Sequence, residues 1–490
     1  MDLVKYCRHF VIFFFSLLFS AQPLYASPWI GTTEPLLYRD LQTLVEQGYL
    51  DVALSSFPVP WKGIDTQLSS LDMDQLSSEA QVAVRRLQHY FSQQQKNQTQ
   101  RFLKLYAAND RSRFTDFAGE KGSKAAFSVI SDTTMGRWAA KLAVNLEPGG
   151  EKNLDQSFLA YQFGDWNLRF GAIDQWWGPG NASSLILSTN ARPVTSIALS
   201  RSQATVSENS WLSFLGPWYF TAQIGQTGDD RVVNNTRLWA SRFNFQPLSG
   251  LEIGLSWTAM WGGDGQGNSF SDLFKVLTFR AECANNASQC DDSLDTKAGN
   301  QLAGYDIRYS FQLLNQPFSL YAQQIGEDAV DYYKITDKAL LIGMSTHLWG
   351  NRVFLENADT NVVCGGSEST ITNCYYEHSL YQSGYRHYGR AIGSTFDSDA
   401  NVTSIGISQH FPEGGAYAVT AHYADLNKDG VRPSPLLAGQ QEKLIQLNGY
   451  YQFPINNWLI KVGTTITGSE IDLQPRKWDS VFYAQFDYYL

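Results

Sequence analysis

Beyond residue 26 the chain has no run of about 18 apolar residues, which rules out a membrane-spanning helix in that part. It also lacks basic runs: 37 Lys and Arg stand against 47 Asp and Glu, for a net charge of −10. An acidic chain of this kind excludes nucleic acid as a partner. HExxH, GxSxG and a phosphate-binding glycine loop are all missing, since Gly254, Gly262, Gly263, Gly265 and Gly267 belong to strand and loop. Enzyme chemistry is therefore unsupported, and no cofactor or metal is expected. Cysteine is scarce, with five in 490 residues.

Cys7 precedes an apolar run from Val11 to Ala21, which follows Lys5 and Arg8 and leads to Ala26. That pattern predicts a signal peptide over residues 1–26, removed with Cys7, and delivery to an oxidising compartment. Cys7 lies ahead of the run, so it is not an acylation site. The other cysteines form two local pairs, Cys283 with Cys290 and Cys364 with Cys374. Two loop-pinning disulfides are the simplest reading, although four cysteines allow three connectivities. Zinc ligation does not fit the spacing.

Aromatic residues are abundant, at 14%, and so is glycine, at 39. Past Phe102 the apolar period is two. Leu251, Ile253, Leu255, Trp257, Ala259 and Trp261 alternate with Glu252, Gly254, Ser256, Thr258 and Met260, the pattern of a tilted membrane strand. Tyr305 to Leu313, Trp166 to Ala172, Tyr417 to Tyr423, Leu444 to Phe453 and Trp458 to Ile466 repeat it. The last residues place Phe482, Ala484, Phe486, Tyr488 and Leu490 on one face and Asp487 on the other, as a barrel's closing strand with lipid outside and water inside would. Roughly 385 residues at about 21 per strand and connection give ~18 strands. Alternation alone also suits a soluble β-sandwich. The closing strand, the aromatic strand ends and the chain length together favour a transmembrane barrel over residues 102–490.

Residues 27–101 differ. Leu37, Leu41, Leu44 and Val45 recur at helical spacing with Gly48 as a stop, and Ala80, Val84, Leu87 and Phe91 stripe a second helix opening with Ser78 and Gln81 in capping-box spacing. Gly63 to Leu71 predicts a third, short helix. So small a unit should bury little core alone and dock through its stripes on the periplasmic mouth of the barrel.

Several motifs are ambiguous. The Trp176-Trp177 pair, followed by Gly178-Pro179-Gly180, suits either sugar stacking or packing around a rigid turn, and packing is favoured. Asp425 to Gly430 imitates the start of a calcium loop, but Leu436 occupies the position that needs a bidentate acid, so a polar hairpin loop is expected. Glu327-Asp328 and Asp397-Ser398-Asp399 offer carboxylate pairs of a glycosidase type without fixing their separation. Tyr385-Arg386-His387-Tyr388-Gly389-Arg390 joins arginines to aromatic rings in what reads as an extracellular loop, a combination suited to an anionic glycan, or equally to a solvated interface loop. Arg386, Arg390, Tyr385, Tyr388, Trp176 and Trp177 are the candidate glycan contacts.

Gln175 to Gly180, Ala191-Arg192-Pro193, Leu215-Gly216-Pro217-Trp218, Trp261 to Gly265, Gly299 to Asp306 and Gly326-Glu327-Asp328 occur in the order found in Wzi-type capsule assembly proteins, and Tyr381-Gln382-Ser383-Gly384-Tyr385 adds a further element. The chain resembles that family from its helices through the barrel. The resemblance implies an 18-stranded bacterial outer-membrane barrel with a periplasmic helical bundle. It also implies a non-enzymatic lectin that retains capsular or exopolysaccharide at the cell surface, contacts membrane lipid and works alongside export machinery. A porin or polysaccharide exit channel is the alternative function, and a surface glycan hydrolase a weaker one. The cysteine-bearing segments are unlike the better-known enterobacterial members, so the glycan's identity does not carry over.

Overall fold

The computed structural model describes residues 28–31, 35–96, 99–115, 117, 119, 121, 123–207, 210–277, 300–330, 334–364, 371–372, 374–378, 380–428, 430, 440–471 and 474–490. The expected signal segment and the pair Cys283 and Cys290 lie outside the described residues.

Strands β1 (Thr99–Ala108), β2 (Ala125–Met135), β3 (Trp138–Leu146), β4 (Lys152–Asn153 with Phe158–Phe163), β5 (Trp166–Gly171) and β6 (Thr195–Arg201) begin a meander. It continues with β7 (Trp218–Gln226), β8 (Arg237–Leu248), β9 (Leu251–Trp261), β10 (Asn300–Leu313), β11 (Gln316–Val330) and β12 (Lys334–Leu348). The last six are β13 (Asn351–Asp359), β14 (Ala400–His410), β15 (Ala416–Leu426), β16 (Glu442–Ile455), β17 (Trp458–Ile471) and β18 (Lys477–Tyr489). Both pieces of β4 pair with β3, so they form one interrupted strand. Each strand is antiparallel to its neighbours, and β18 closes on β1 from Tyr489↔Phe102 to Tyr483↔Ala108, giving a closed barrel of 18 strands. β1 starts at Thr99, three residues before the expected Phe102, because Thr99, Gln100 and Arg101 already pair with β2.

Burial decides between sandwich and membrane barrel. Leu168, Phe170, Ile197, Leu255, Ile307, Ile342, Leu355, Ile405 and Phe482 are exposed, whereas Arg242, Asn244, Glu252, Ser256, Asp306 and Gln446 on the alternate positions are buried. A soluble protein would bury the first set. An apolar outer belt around a polar inner face is the inverted arrangement that lipid demands.

The lumen is not the water-filled space that alternation suggests. Its inward face changes chemistry along each strand. Leu238, Ala240, Met260, Leu302, Ile325, Leu341 and Leu444 join one buried apolar cluster towards the loop end. Arg242, Asn244, Glu252, Asp306, Arg308, His347 and Arg352 line the turn end. Protein fills both halves.

The turn end is occupied by the helical unit: α1 (Pro35–Glu46), α2 (Ile64–Ser70) and α3 (Ser78–Lys96). Gly48, at φ 79, ends α1, and Tyr49 N–H returns to Leu44 O at 2.8 Å, a left-handed helix stop. The cap of α3 is Ser77 rather than Ser78: Ser77 Oγ accepts from Ala80 N–H at 3.2 Å, and Gln81 Nε2 donates to Met73 O and Leu76 O. Contrary to the size argument, the unit has its own core. Ala80, Val84 and Leu87 pack with Leu37, Leu41, Leu44, Leu54 and Val59, and among the described residues Trp176, Ala204, Tyr219 and the half-buried Phe117 enter from outside residues 27–101. The stripes face one another.

The seat on the barrel is polar instead. Glu252 accepts from Leu54 N–H, Ser55 N–H at 2.9 Å and Ser55 Oγ at 2.6 Å. Arg242 donates to Ser55 Oγ and Ser56 Oγ while pairing with Asp306 at 2.6 Å. Glu46, at the end of α1, accepts from Arg352 at 2.7 and 2.9 Å and from Ser345 at 3.0 Å, and His347 bridges Glu46 and Glu79 at 3.0 and 2.8 Å. His410 meets Asp40 at 2.9 Å. A polar wall forces this choice, because an apolar stripe set against Arg242 or Glu252 would leave buried charges unpaired.

Burial by itself would raise the Glu46 carboxyl, but Arg352 and hydrogen bonds from His347 and Arg352 hold it well below the usual carboxylate range. A depressed folded value means a contribution to docking that is complete above the unfolded carboxylate range and disappears as pH falls through the depressed value. Protease accessibility of the helical unit in intact outer membranes is therefore expected to stay low down to about pH 4 and to rise only below it. Glu46→Gln is expected to lack that acid-side step. Leu87→Asp is expected to open the unit at every pH, at a cost on the order of 3–5 kcal/mol for a charge placed in a closed core, with the heat-modifiable barrel retained.

Candidate functional site

Strand connections at the helical end are short except for residues 202–217, and two long connections at the other end turn back into the lumen. Barrels of this type carry their longer loops outside the cell. Residues 172–194, between β5 and β6, descend to the helical unit, where Trp176–Trp177 pairs with Ser56–Phe57. Gly178 N–H donates to Ser55 O at 2.9 Å. The descent is capped by Glu356 of β13, whose carboxylate accepts from the successive N–H groups of Asn181, Ala182 and Ser183 at 2.6, 3.2 and 3.0 Å. Gln323 of β11 donates to Trp177 O and accepts from Leu185 N–H.

The described residues of the 360–399 connection, between β13 and β14, pack above. Tyr375, Tyr376, Tyr381, Tyr385, Ile392 and Phe396 form an apolar mass with Leu185, Ile186 and Leu187 inside the apolar half of the barrel. The hydroxyls of Tyr375, Tyr376 and Tyr381 find backbone partners: Tyr375 Oη donates to Leu185 O at 3.1 Å, Tyr376 Oη donates to Leu185 O at 2.6 Å and accepts from Ser394 N–H at 2.7 Å, and Tyr381 Oη donates to Gly262 O at 3.1 Å.

From this mass a two-residue hairpin projects outward. Arg386–His387 pairs with Arg390–Ala391, and the turn residues Tyr388 and Gly389 have φ of 48° and 73°. Positive φ at both positions is the type I′ signature that matches strand twist. Glycine adopts it freely, whereas an aromatic residue there costs on the order of 1 kcal/mol. The strained residue is also the presented one, because Tyr388 is 44% exposed.

Buried charges hold the hairpin. Arg386, 4% exposed, donates to Asp397 at 2.7 and 3.0 Å and to Ser398, and pairs with Glu377 at 2.6 Å. Burial would lower this guanidinium, but the two carboxylates outweigh it and raise it. Arg390 donates to Asn190 O, Asn190 Oδ1 and Arg113 O, and burial brings it down to about 10. Around the tip, the Arg192 guanidinium lies 4.1 Å from the Tyr388 ring centroid and pairs with Asp155 at 2.7 and 3.2 Å. Tyr388 N–H donates to Asp230, and His387 Nδ1 lies 3.6 Å from Asp230 Oδ1. Burial would raise Asp230, but His387 and these hydrogen bonds lower it.

Of the six candidate contacts, the structure brings Tyr385, Arg386, Tyr388 and Arg390 into one hairpin and sets Trp176 and Trp177 apart, deep in the lumen. Arg386, Arg390 and Tyr385 are buried, so the solvated extracellular loop expected for residues 385–390 is corrected to a buried stem with one exposed tip. On the descending loop, Trp176, at 2%, packs in the helical unit's core and Trp177, at 1%, in the apolar cluster of the barrel. Asp397 is committed to Arg386, which removes it from any carboxylate pair. The residues that pattern reading passed over are Arg192, Asp155 and Asp230. Arg192 and Asp230 come from the 172–194 and 227–236 connections and Asp155 from the break in β4, so no local signal joins them to Tyr388, although Arg192 lies within a family motif.

A family model described as capsule assembly protein Wzi matches residues 94–481. A Klebsiella pneumoniae protein described as an uncharacterized 55.8 kDa protein in the cps region is 29% identical over 329 residues, 64% of this chain, and the match spans 61% of that relative's length. The solved structure of Wzi, an outer membrane protein of Escherichia coli involved in group 1 capsule assembly and described as a carbohydrate-binding β-barrel, superposes with a TM-score of 0.77. It shares 22% identity and is covered over 99% of its length by 95% of this chain.

Cys374 is buried and disulfide-bonded, in the inward-folded 360–399 connection. The side chain of Cys364 lies outside the described residues, although its backbone pairs with Ile371. Non-reducing peptide mapping is expected to join Cys364 with Cys374 and Cys283 with Cys290. Loops this short are stabilised by roughly 2–3 kcal/mol each in the chain-entropy model. Free thiols or crossed pairs would refute the assignment.

Proposed function

The chain belongs to the capsule assembly protein Wzi family, whose model spans most of its length, and from that premise we propose that it is a non-enzymatic outer-membrane lectin. It holds capsular or exopolysaccharide at the cell surface next to the export machinery. The observation that carries this reading is the tip of the 386–391 hairpin. An aromatic ring held in a costly backbone conformation, backed by a guanidinium and flanked by Asp155 and Asp230, offers a pyranose an apolar face and hydroxyl partners together. Arg386, Arg390 and Tyr385 serve by fixing the stem, and the tryptophan pair by filling the lumen beneath it.

Two features weigh against the alternatives. A lumen packed from both ends, with Arg242, Tyr376 and Phe396 each at 1% exposure or less, leaves a porin or exit channel little open path. For a hydrolase, two carboxylates must flank a scissile bond, and Asp397 is tied to Arg386.

Tyr388→Ala is expected to weaken binding of the host's own purified polysaccharide about tenfold, the equivalent of one stacked ring, with the heat-modifiable barrel at normal level. Arg386→Ala with Arg390→Ala is expected to release the glycan from cells to a similar or greater extent by collapsing the stem. Wild-type protein that binds none of the polysaccharide, in a strain whose deletion keeps it all cell-associated, would overturn the lectin reading. Stable open conductance in single-channel recording would return the channel, and shortened glycan chains after prolonged incubation would return the hydrolase.

A further inference from the structure

Six of the connections at the helical end are two-residue turns, such as Gly136–Arg137, Gly164–Asp165 and Asn456–Asn457, and a seventh spans 411–415. The connection between β6 and β7 runs from 202 to 217. Connections of that length in a compact fold commonly carry a function. Its first part grips the helical unit: Ala204 O accepts from Ala53 N–H at 3.0 Å, Gln203 bridges Lys62, and Ala204 sits inside the helical unit's core. Its second part is a single 3-10 helix, Ser210–Leu215. Three residues per turn place Trp211 and Phe214 on one face, and they are 86% and 71% exposed.

That face does not stand alone. Gly216 packs so closely on Gln246 O that a Cβ would come within 2.0 Å, and Pro217 O accepts from Gln246 N–H at 2.8 Å, which sets the 3-10 helix beside the end of β8. There Leu248 is 67% exposed. On β7 and β8 just above are Trp218, Phe243 and Phe245, in ring-to-ring contact along the outer face of the barrel. The next two turns round the rim continue the pattern with Leu314 and Trp349, 89% and 92% exposed, each at positive φ where Gly or Asn would be easier. The 136–137, 164–165 and 456–457 turns carry Arg137, Asp165 and Asn457 instead, and the 411–415 turn opens with Phe411, whose ring packs on Tyr417 and Tyr451.

We propose that the 202–217 connection is an interfacial strap: Trp211 and Phe214 insert into the inner-leaflet head-group zone of the membrane, while Gln203 and Ala204 hold the helical unit. The occupant is lipid, because the apolar residues follow the rim as an arc continuous with the aromatic girdle above it. A bilayer plane meets such an arc along its whole length, whereas a compact partner protein would favour a gathered patch. Aromatic residues are the usual anchors at that depth.

The test uses full-length protein in lipid vesicles with and without bromine on the acyl chain near the head group. The difference in tryptophan emission between wild type and Trp211→Phe isolates Trp211. That difference is expected to be blue-shifted and to lose about half its intensity in brominated vesicles, and Trp211→Ser with Phe214→Ser is expected to raise protease accessibility of the helical unit without changing heat-modifiability. Red-shifted emission, quenched by aqueous iodide and indifferent to bromine, would overturn the proposal, leaving a partner absent from vesicles as the occupant. Lipid contact with unchanged protease accessibility would overturn the strap's hold on the helical unit. Neither readout depends on polysaccharide binding, so either can fail while the lectin reading stands.

Discussion

The ion pair between Arg242 and Asp306, 2.6 Å apart with both side chains essentially without exposure, expresses the constraint that shapes this protein. Lipid outside the wall sends the polar positions of every strand inward, and a charge inside a filled barrel costs several kcal/mol unless it is paired and hydrogen-bonded. The chain therefore brings polar backbone and hydroxyls to the wall. Ser55 and Ser56 complete Arg242, Leu54 and Ser55 complete Glu252, and Glu46 completes Arg352. Each of these sites requires one particular partner. A unit with its own apolar core is thus seated by polar matching, which fixes register better than an apolar surface could.

The same requirement runs up the lumen and sets the outer site. Glu356 caps the descending loop, Trp177 N–H bonds Leu187 O at 2.9 Å, Ser188 N–H bonds Ile392 O at 2.8 Å, and Ile392 N–H bonds Tyr385 O at 3.0 Å. Tyr385 precedes Arg386, whose pairing with Asp397 holds the stem under Tyr388. The exposed tip is consequently referenced to the barrel wall through a chain of short, mostly backbone contacts. An exposed tyrosine at positive φ persists only where its surroundings over-determine it, and this stem does so.

Strands were the most legible part of the sequence. Leu251–Trp261 coincides with β9, and the face assignment of Phe482 and Asp487 agrees with their exposures of 60% and 7%. A two-residue period with aromatic ends needs no tertiary knowledge. The helices were legible as elements, but their partner was not. A stripe such as Val84 and Leu87 reports that something apolar covers it, and only the polar character of the lumen wall shows that the cover is α1. The least legible feature was the inward folding of residues 172–194 and 360–399. In a soluble protein a segment rich in Ser, Asn, Asp and Arg reads as solvated, but in a barrel such a segment is equally suited to burial against a polar lumen, so Arg386 and Arg390 look the same either way. The tryptophan pair escaped this ambiguity because the rigid turn after it already favoured packing.

The scale of the proposed site bears on how a glycan would be held. One aromatic face with two flanking carboxylates supplies a few kcal/mol at most, and a contact of that strength alone corresponds to roughly millimolar affinity. A surface polysaccharide, however, repeats its unit many times and meets many barrels embedded in one membrane. Once one repeat is bound, neighbouring repeats reach adjacent barrels as an intramolecular event, and avidity can exceed the single-site affinity by roughly 10²–10⁴ without any new contact. Such a mode needs sites that are rigid, uniformly oriented and fixed relative to the membrane more than it needs tight ones. A filled barrel with a single over-determined tip meets those conditions. An open lumen whose loops moved freely would lose to disorder at each site what the polymer gains by repetition.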